Sequence, residues 1–177
     1  MSEGNAPVGA ALPELSKEEF EQYNRIAEHM DRFHSHFRKS WTLLYDACLA
    51  NHVPENMPTS EFILIGLGLC KELDTHHLIE EHYVFPQLGT RMPAFQGELD
   101  LLLNQHKEIH VGLEKLEIYL EGCESGEGEL KLEELKGIMD GFGTVLWEHM
   151  DDEVRELGAE NMRKYWTLEE MQTSLPI

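Results

Sequence analysis

The sequence predicts an all-α protein, an up-down-up-down four-helix bundle with a di-metal site in its core. Three observations carry this expectation. Apolar residues recur every three or four positions along four long segments, the period of a helix with one buried face. No run of alternating apolar and polar residues reads as a strand. Each of the four segments also places histidine on its inner stripe, and in three of them a second metal-capable residue follows four positions later.

The first helix starts at a capping box, Ser16 with Glu19 three residues on. Its stripe of Tyr23, Ile26, Met30, Phe33, Phe37, Trp41, Leu44 and Cys48 carries it to about Ala50. Pro54 and Pro58 punctuate the loop that follows. Thr59 or Ser60 caps the second helix, which runs through Phe62, Ile65, Leu69 and Leu73 to about Leu88. Pro86 is expected to kink or end it, and Gly89 to stop it. The third helix is expected from Pro93, with Leu99, Leu102, Leu103, Ile109, Leu113, Leu116 and Leu120 inward. A polar stretch with Gly122, Gly126 and Gly128 forms the next loop. The fourth helix is expected from about Leu130 to near Gly158, facing inward with Leu132, Leu135, Ile138, Met139, Phe142, Val145 and Leu146. Residues 1–15 form a flexible N-terminal tail, residues 16–158 the bundle, and residues 159–177, with Trp166 and Leu168, an extension that packs on it.

The candidate ligands are His34, His76 with Glu80, His106 with His110, and His149 with Glu153. Residues four apart in a helix lie on one face, about 6 Å apart. Counted from the loops they share, the four sets lie at one level within about one helical turn. Five imidazoles and two carboxylates directed into one interior are too costly to bury unless something pairs them, and a pair of metals does so. In the first helix His29, His34 and His36 compete. His34 shares its face with Met30, Phe37, Trp41 and Leu44, whereas His36 falls beside Arg32, Lys39 and Ser40. In the second helix His77 and Glu81 form a parallel pair, rotated by about 100°. Leu69 and Leu73 lead into His76 and Glu80, with His77 able to reach a metal or support one.

Imidazoles mixed with carboxylates suit iron, manganese or zinc. Two six-coordinate metals offer about 12 positions; five imidazoles, two bridging carboxylates and a bridging oxide or hydroxide fill all but about one. One open position in an apolar pocket suits a small ligand such as dioxygen. The Glu-x-x-His pairs of carboxylate-rich ferritin-like sites and the His-Glu-x-x-His of zinc hydrolases are both absent.

Three runs resemble the motifs of hemerythrin-like (HHE cation-binding) domains. They are His76-His77-Leu78-Ile79-Glu80-Glu81 followed by Phe85-Pro86, then Gln105-His106-Lys107-Glu108-Ile109-His110, then Glu148-His149-Met150-Asp151-Asp152-Glu153. The resemblance covers about residues 20–157. It implies an oxo- or hydroxo-bridged pair of iron ions, with His76, His106, His110 and His149 as terminal ligands and Glu80 and Glu153 as bridges. Oxygen-carrying members have an aspartate five positions after the last histidine. Here that position is Val154, and Glu153, at four, takes the role. Sensing, iron handling and redox defence therefore stand beside oxygen carriage.

A net charge of −20, from 34 acidic and 14 basic residues, opposes nucleic acid or an anionic membrane as partner. Cys48, Cys70 and Cys123 are odd in number and widely spaced, as reduced thiols are. No secretory signal or membrane span is visible. The expectation is a cytoplasmic di-iron protein that binds or senses dioxygen or another small diatomic ligand. A di-iron oxidase or peroxidase and a metal-free helical interaction module are the alternatives; the oligomeric state stays open.

Overall fold

A computed structural model describes residues 12–96 and 101–175, and among these residues every regular element is helical. The long first helix, α1, spans Lys17–Ala50. Ser16 caps it as its residue type requires, accepting from the Glu19 N–H while the Glu19 carboxylate accepts from the Ser16 N–H. Asn51, in the left-handed region at φ 56°, ends it. The expected tail falls mainly on residues 1–11, outside the described residues, as does the expected inward residue Leu99.

Helix α2 spans Thr59–Ile79. Its cap position is Pro58, with Thr59 already helical, so neither Thr59 nor Ser60 serves as cap. The chain neither stops nor bends away at Pro86. It widens into a π turn over Glu80–Val84 and continues as α3, Phe85–Leu88. Proline has no N–H to give the carbonyl four residues back, and its ring collides with that carbonyl in a regular helix. The wide turn removes the conflict: the Phe85 N–H bonds to Glu80 O, five residues back.

Pro93–Phe95 forms a separate 3-10 turn, ended by the extended Gln96, and is not the start of the third helix. Helix α4 is described over Leu101–Ser125. The expected fourth helix is two helices, α5 Leu132–Asp140 and α6 Gly143–Glu156. The break lies at Gly141 and Phe142, where Phe142 (φ −141°, ψ 0°) leaves helical geometry. Its ring then seats against the bare backbone of Gly112 on α4, where a Cβ would overlap it. Trp41 meets that ring edge-on, centroids 5.0 Å apart, and covers Gly143.

Helices α1, α2, α4 and α6 close a ring, each packed on the next. Two short helices follow, α7 (Ala159–Met162) and α8 (Leu168–Thr173), and both pack on α1. Trp166 between them is buried, and Arg25 of α1 donates to the Met171 carbonyl at 2.6 Å. Inside the ring the apolar core is divided in two. One part holds Phe37, Leu44, Leu73, Ile109 and Leu146; the other holds Ile26, Met30, Phe85, Leu102 and Leu157. Along each helix the candidate ligands fall between these parts. Among the described residues no helix is long and apolar enough to cross a membrane.

Candidate metal centre

The layer between the two cores is polar and almost wholly excluded from solvent. His34, His77, Glu80, His106, His149 and Glu153 are each 0–1% exposed. Ionisable groups are not left in such a place without compensation. Their donor atoms gather into two groups. His77, Glu80, His106 and His149 form one; His34, His76, Glu80 and Glu153 form the other. Within each group the ligand atoms lie within 4.8 Å of one another. Glu80 belongs to both.

Contacts inside the layer are those of atoms converging on shared points, not of partners satisfying one another. The Nε2 atoms of His34 and His76 face each other at 3.4 Å, and those of His106 and His149 at 3.2 Å. His76 Nε2 is 2.8 Å from Glu80 Oε1, and His34 Nε2 is 3.2 Å from Glu153 Oε2. Even so, no carboxylate oxygen of Glu80 or Glu153 has a hydrogen-bond partner, nor does either ring nitrogen of His77. Four orphaned carboxylate oxygens beside five imidazoles are the donor set that hard and borderline cations take, at about 2.0–2.2 Å. The residues present therefore fit a pair of metals.

Behind the layer, second contacts set the rings. His34 Nδ1 lies 3.2 Å from the Met150 carbonyl, His106 Nδ1 lies 2.8 Å from Glu81 Oε1, and His149 Nδ1 lies 3.3 Å from Gln105 Oε1. Gln105 is itself fixed by donating to Asp152 at 2.9 Å. A ring whose Nδ1–H donates outward presents the Nε2 lone pair inward, as a metal ligand must. Burial also sets the protonation states. His77, His106 and His149 are held below the usual imidazole range by desolvation, and His76 falls to about 3 through desolvation and its histidine neighbours. Desolvation and the adjacent Glu153 push the Glu80 carboxyl well above its ordinary range. Neutral imidazoles are ready to bind a metal, and a cation would remove the cost of ionising Glu80.

Six of the seven residues singled out by the sequence, His34, His76, Glu80, His106, His149 and Glu153, come together here. His110 does not enter either group. Its side chain is 33% exposed, and Nδ1 lies 3.2 Å from Asp74 Oδ1 on α2. The inner stripe of α4 steps from His106 to Ile109 to Leu113, and His110 stands one residue, about 100°, past Ile109. His77 is drawn in instead, stacked on His106 with centroids 3.8 Å apart. The signal for it is the spacing to Glu80. His76 and His77 precede Glu80 by four and three positions, and both spacings place a side chain one turn away on the same side of a helix. His36 lies on the surface, 2.8 Å from Glu72, and His29 accepts from Arg32 at 3.1 Å.

A cleft of about 920 Å³ between α1 and α2 reaches His76 and Glu80 from outside.

Comparison with known proteins agrees with this chemistry. The chain is similar to "Dimeric xanthone biosynthesis cluster protein R11" of Cryptosporiopsis sp. (strain 8999), 25% identical over 150 residues. The match takes in 80% of this chain and 55% of that protein, so the chain spans about half the length of the relative. No solved structure matches. The model of the hemerythrin HHE cation binding domain matches residues 25–160, which include every residue of both ligand groups. With two clusters of metal donors inside that span, the chain belongs to the hemerythrin HHE cation-binding family.

Proposed function

We propose that this chain is a di-iron protein, built on an up-down-up-down four-helix bundle, that binds or senses dioxygen or a related small molecule. The observation that carries the reading is Glu80, common to two clusters of donors, with Glu153 orphaned beside it. One carboxylate shared by two ligand sets is a group that two neighbouring cations would have in common. On this reading His77, His106 and His149 would hold one iron and His34 and His76 the other, with Glu80 and Glu153 as the carboxylate ligands. The irons would supply reversible electron transfer and an open coordination position for a small ligand. The protein's own part is to hold five imidazoles and two carboxylates in place. Glu81, Gln105 and the Met150 carbonyl orient the rings, and the apolar cores above and below keep water out. A cytoplasmic location belongs to the same proposal.

The test is metal content per chain together with an optical spectrum, recorded before and after reduction and on return to air. Two irons and a reversible visible change are expected. One zinc, or no metal, would sink the reading and favour a helical interaction module.

One pair of observations favours an enzyme, a di-iron oxidase or peroxidase. The cleft that reaches His76 and Glu80 is far larger than dioxygen needs, and the relative from Cryptosporiopsis is named for a biosynthesis cluster. Turnover of ferrous iron or peroxide beyond two equivalents per chain would decide for catalysis.

A further inference from the structure

A cleft of about 920 Å³ is the size of small-molecule pockets, which run to roughly 300–1,000 Å³. Rings of α1, with His76 of α2, line it from the surface inward. The rings of His29 and Phe33 are 5.1 Å apart, Phe33 and His76 5.3 Å, and His76 and Phe37 5.1 Å. Phe33 is 44% exposed, and Ile79 on the opposite wall 50%. Both apolar groups thus stand open to a ligand in the cleft.

Gly68 lines the α2 wall, in mid-helix. Glycine there weakens the helix relative to any ordinary residue. Gly66 and Gly112 have packing reasons, since a Cβ on either would run into Leu120 or Phe142. At Gly68 nothing lies within 4 Å of where a Cβ would stand. The missing side chain leaves open the space of the cleft itself.

Charge at the mouth runs against the molecule as a whole. The net charge is −20, yet Arg32 and Lys71 line this cleft from opposite walls. Among the described residues neither forms an ion pair with a carboxylate; Arg32 donates to His29 at 3.1 Å. The acid at the rim, Glu72, is already engaged by His36 at 2.8 Å.

We propose that the cleft between α1 and α2 binds a small, flat, apolar molecule carrying an anionic group. Its ring lies against Phe33 and over Gly68, its anion meets Arg32 and Lys71, and its inner edge approaches His76. The inference deepens the di-metal reading by giving that centre an organic ligand. The cleft itself exists without metal, so the two can fail separately.

The test is calorimetric titration of the full chain with naphthoate and with its uncharged carboxamide, before and after chelation. Metal per chain and sedimentation are measured on the same samples. Naphthoate is expected to bind one per chain, roughly five- to tenfold tighter than the carboxamide. Arg32→Gln with Lys71→Gln should remove that preference. Gly68→Leu, which places a better helix former in open space, should abolish both affinities while the metal content stays unchanged. Naphthoate binding to a protein that holds no metal would keep the cleft and sink the di-metal reading. Two irons with no naphthoate binding would do the reverse. Equal affinity for the two probes, or binding untouched by Gly68→Leu, overturns the proposal. So does a dimer that Gly68→Leu splits, because the cleft would then be a self-interface.

Discussion

At the scale of single residues, the centre turns on which histidines of two adjacent pairs face inward. His77 is buried, stacked on His106 and without a hydrogen-bond partner, whereas His110 is part-exposed beside Asp74. His77→Ala should therefore lose at least one of two metals, and His110→Ala should keep both with little change in the optical spectrum. Metal analysis of the two variants checks this, and loss of metal from His110→Ala alone would reverse the assignment. Glu80 serves both clusters, so Glu80→Ala should empty both while the helical circular dichroism largely persists. Thiol reactivity gives a separate prediction. Burial pushes Cys70 up to about 12 and Cys48 to about 11, so neither forms thiolate near neutral pH. A mild alkylating agent should modify Cys123, which is half-buried, and leave the other two until the protein unfolds. The sequence made six of the seven clustered positions legible because imidazole and carboxylate recur there at one-turn spacing. It left His76 and His77 in competition because one residue turns a side chain by only about 100°, and a ring at either edge of a stripe can reach the centre.

Among the elements, those that depart from a regular helix explain most about the site. The π turn over Glu80–Val84 absorbs Pro86 and sits where Glu80 enters the metal layer and Glu81 reaches His106. Such turns cluster at functional positions because the extra residue redirects side chains that a regular helix would present elsewhere. Pro86 was visible as a disturbance expected to kink or end the helix, and the chain accommodates it by widening one turn upstream. The break between α5 and α6 was hidden by apolar spacing that continues through Leu135, Met139, Phe142 and Leu146. It is decided by the close approach of Phe142 to Gly112, a contact between residues 30 positions apart in the chain. Gly112→Ala should force that ring outward and cost about 1–3 kcal/mol, read as a lower urea midpoint at unchanged slope. Gly68→Leu is the control on an open glycine and should not destabilise.

For the whole molecule, the defining arrangement is a polar, ionisable layer clamped between two apolar cores. Without metal that layer is a liability, and pH should expose it. His76, His77, His106 and His149 are all held below the ordinary imidazole value in the fold. In the unfolded chain they titrate near 6.5, so on acidification the unfolded state takes up protons first. The metal-free protein should therefore lose stability as pH falls through about 6.5. Glu80 acts with the opposite sign. Its raised folded value means that ionisation disfavours the fold as pH rises above about 4.5. The four imidazoles outnumber it, so thermal melting of chelated protein should occur at lower temperature at about pH 5.5 than at about pH 7.5. Added metal should raise the melting temperature at the higher pH, by about 2.7 kcal/mol of stability at a hundredfold excess over the dissociation constant. A chelated protein equally stable at both pH values would contradict the burial of neutral imidazoles.

The all-helical class and the convergence of six candidate ligands on one layer were legible in the sequence alone. These are matters of local period: apolar residues three and four apart define a buried face, and a His or Glu on that face points toward the interior. What only the tertiary structure decided depends on contacts between distant segments. Phe142 breaks a helix because Gly112 lies opposite. His110 turns to Asp74 while His77 takes the inner place. The α1–α2 cleft opens over Gly68, where nothing lies within 4 Å of a Cβ position. Periodicity in one segment carries no information about the shape of the segment across from it, and at each of these points that shape is the deciding force.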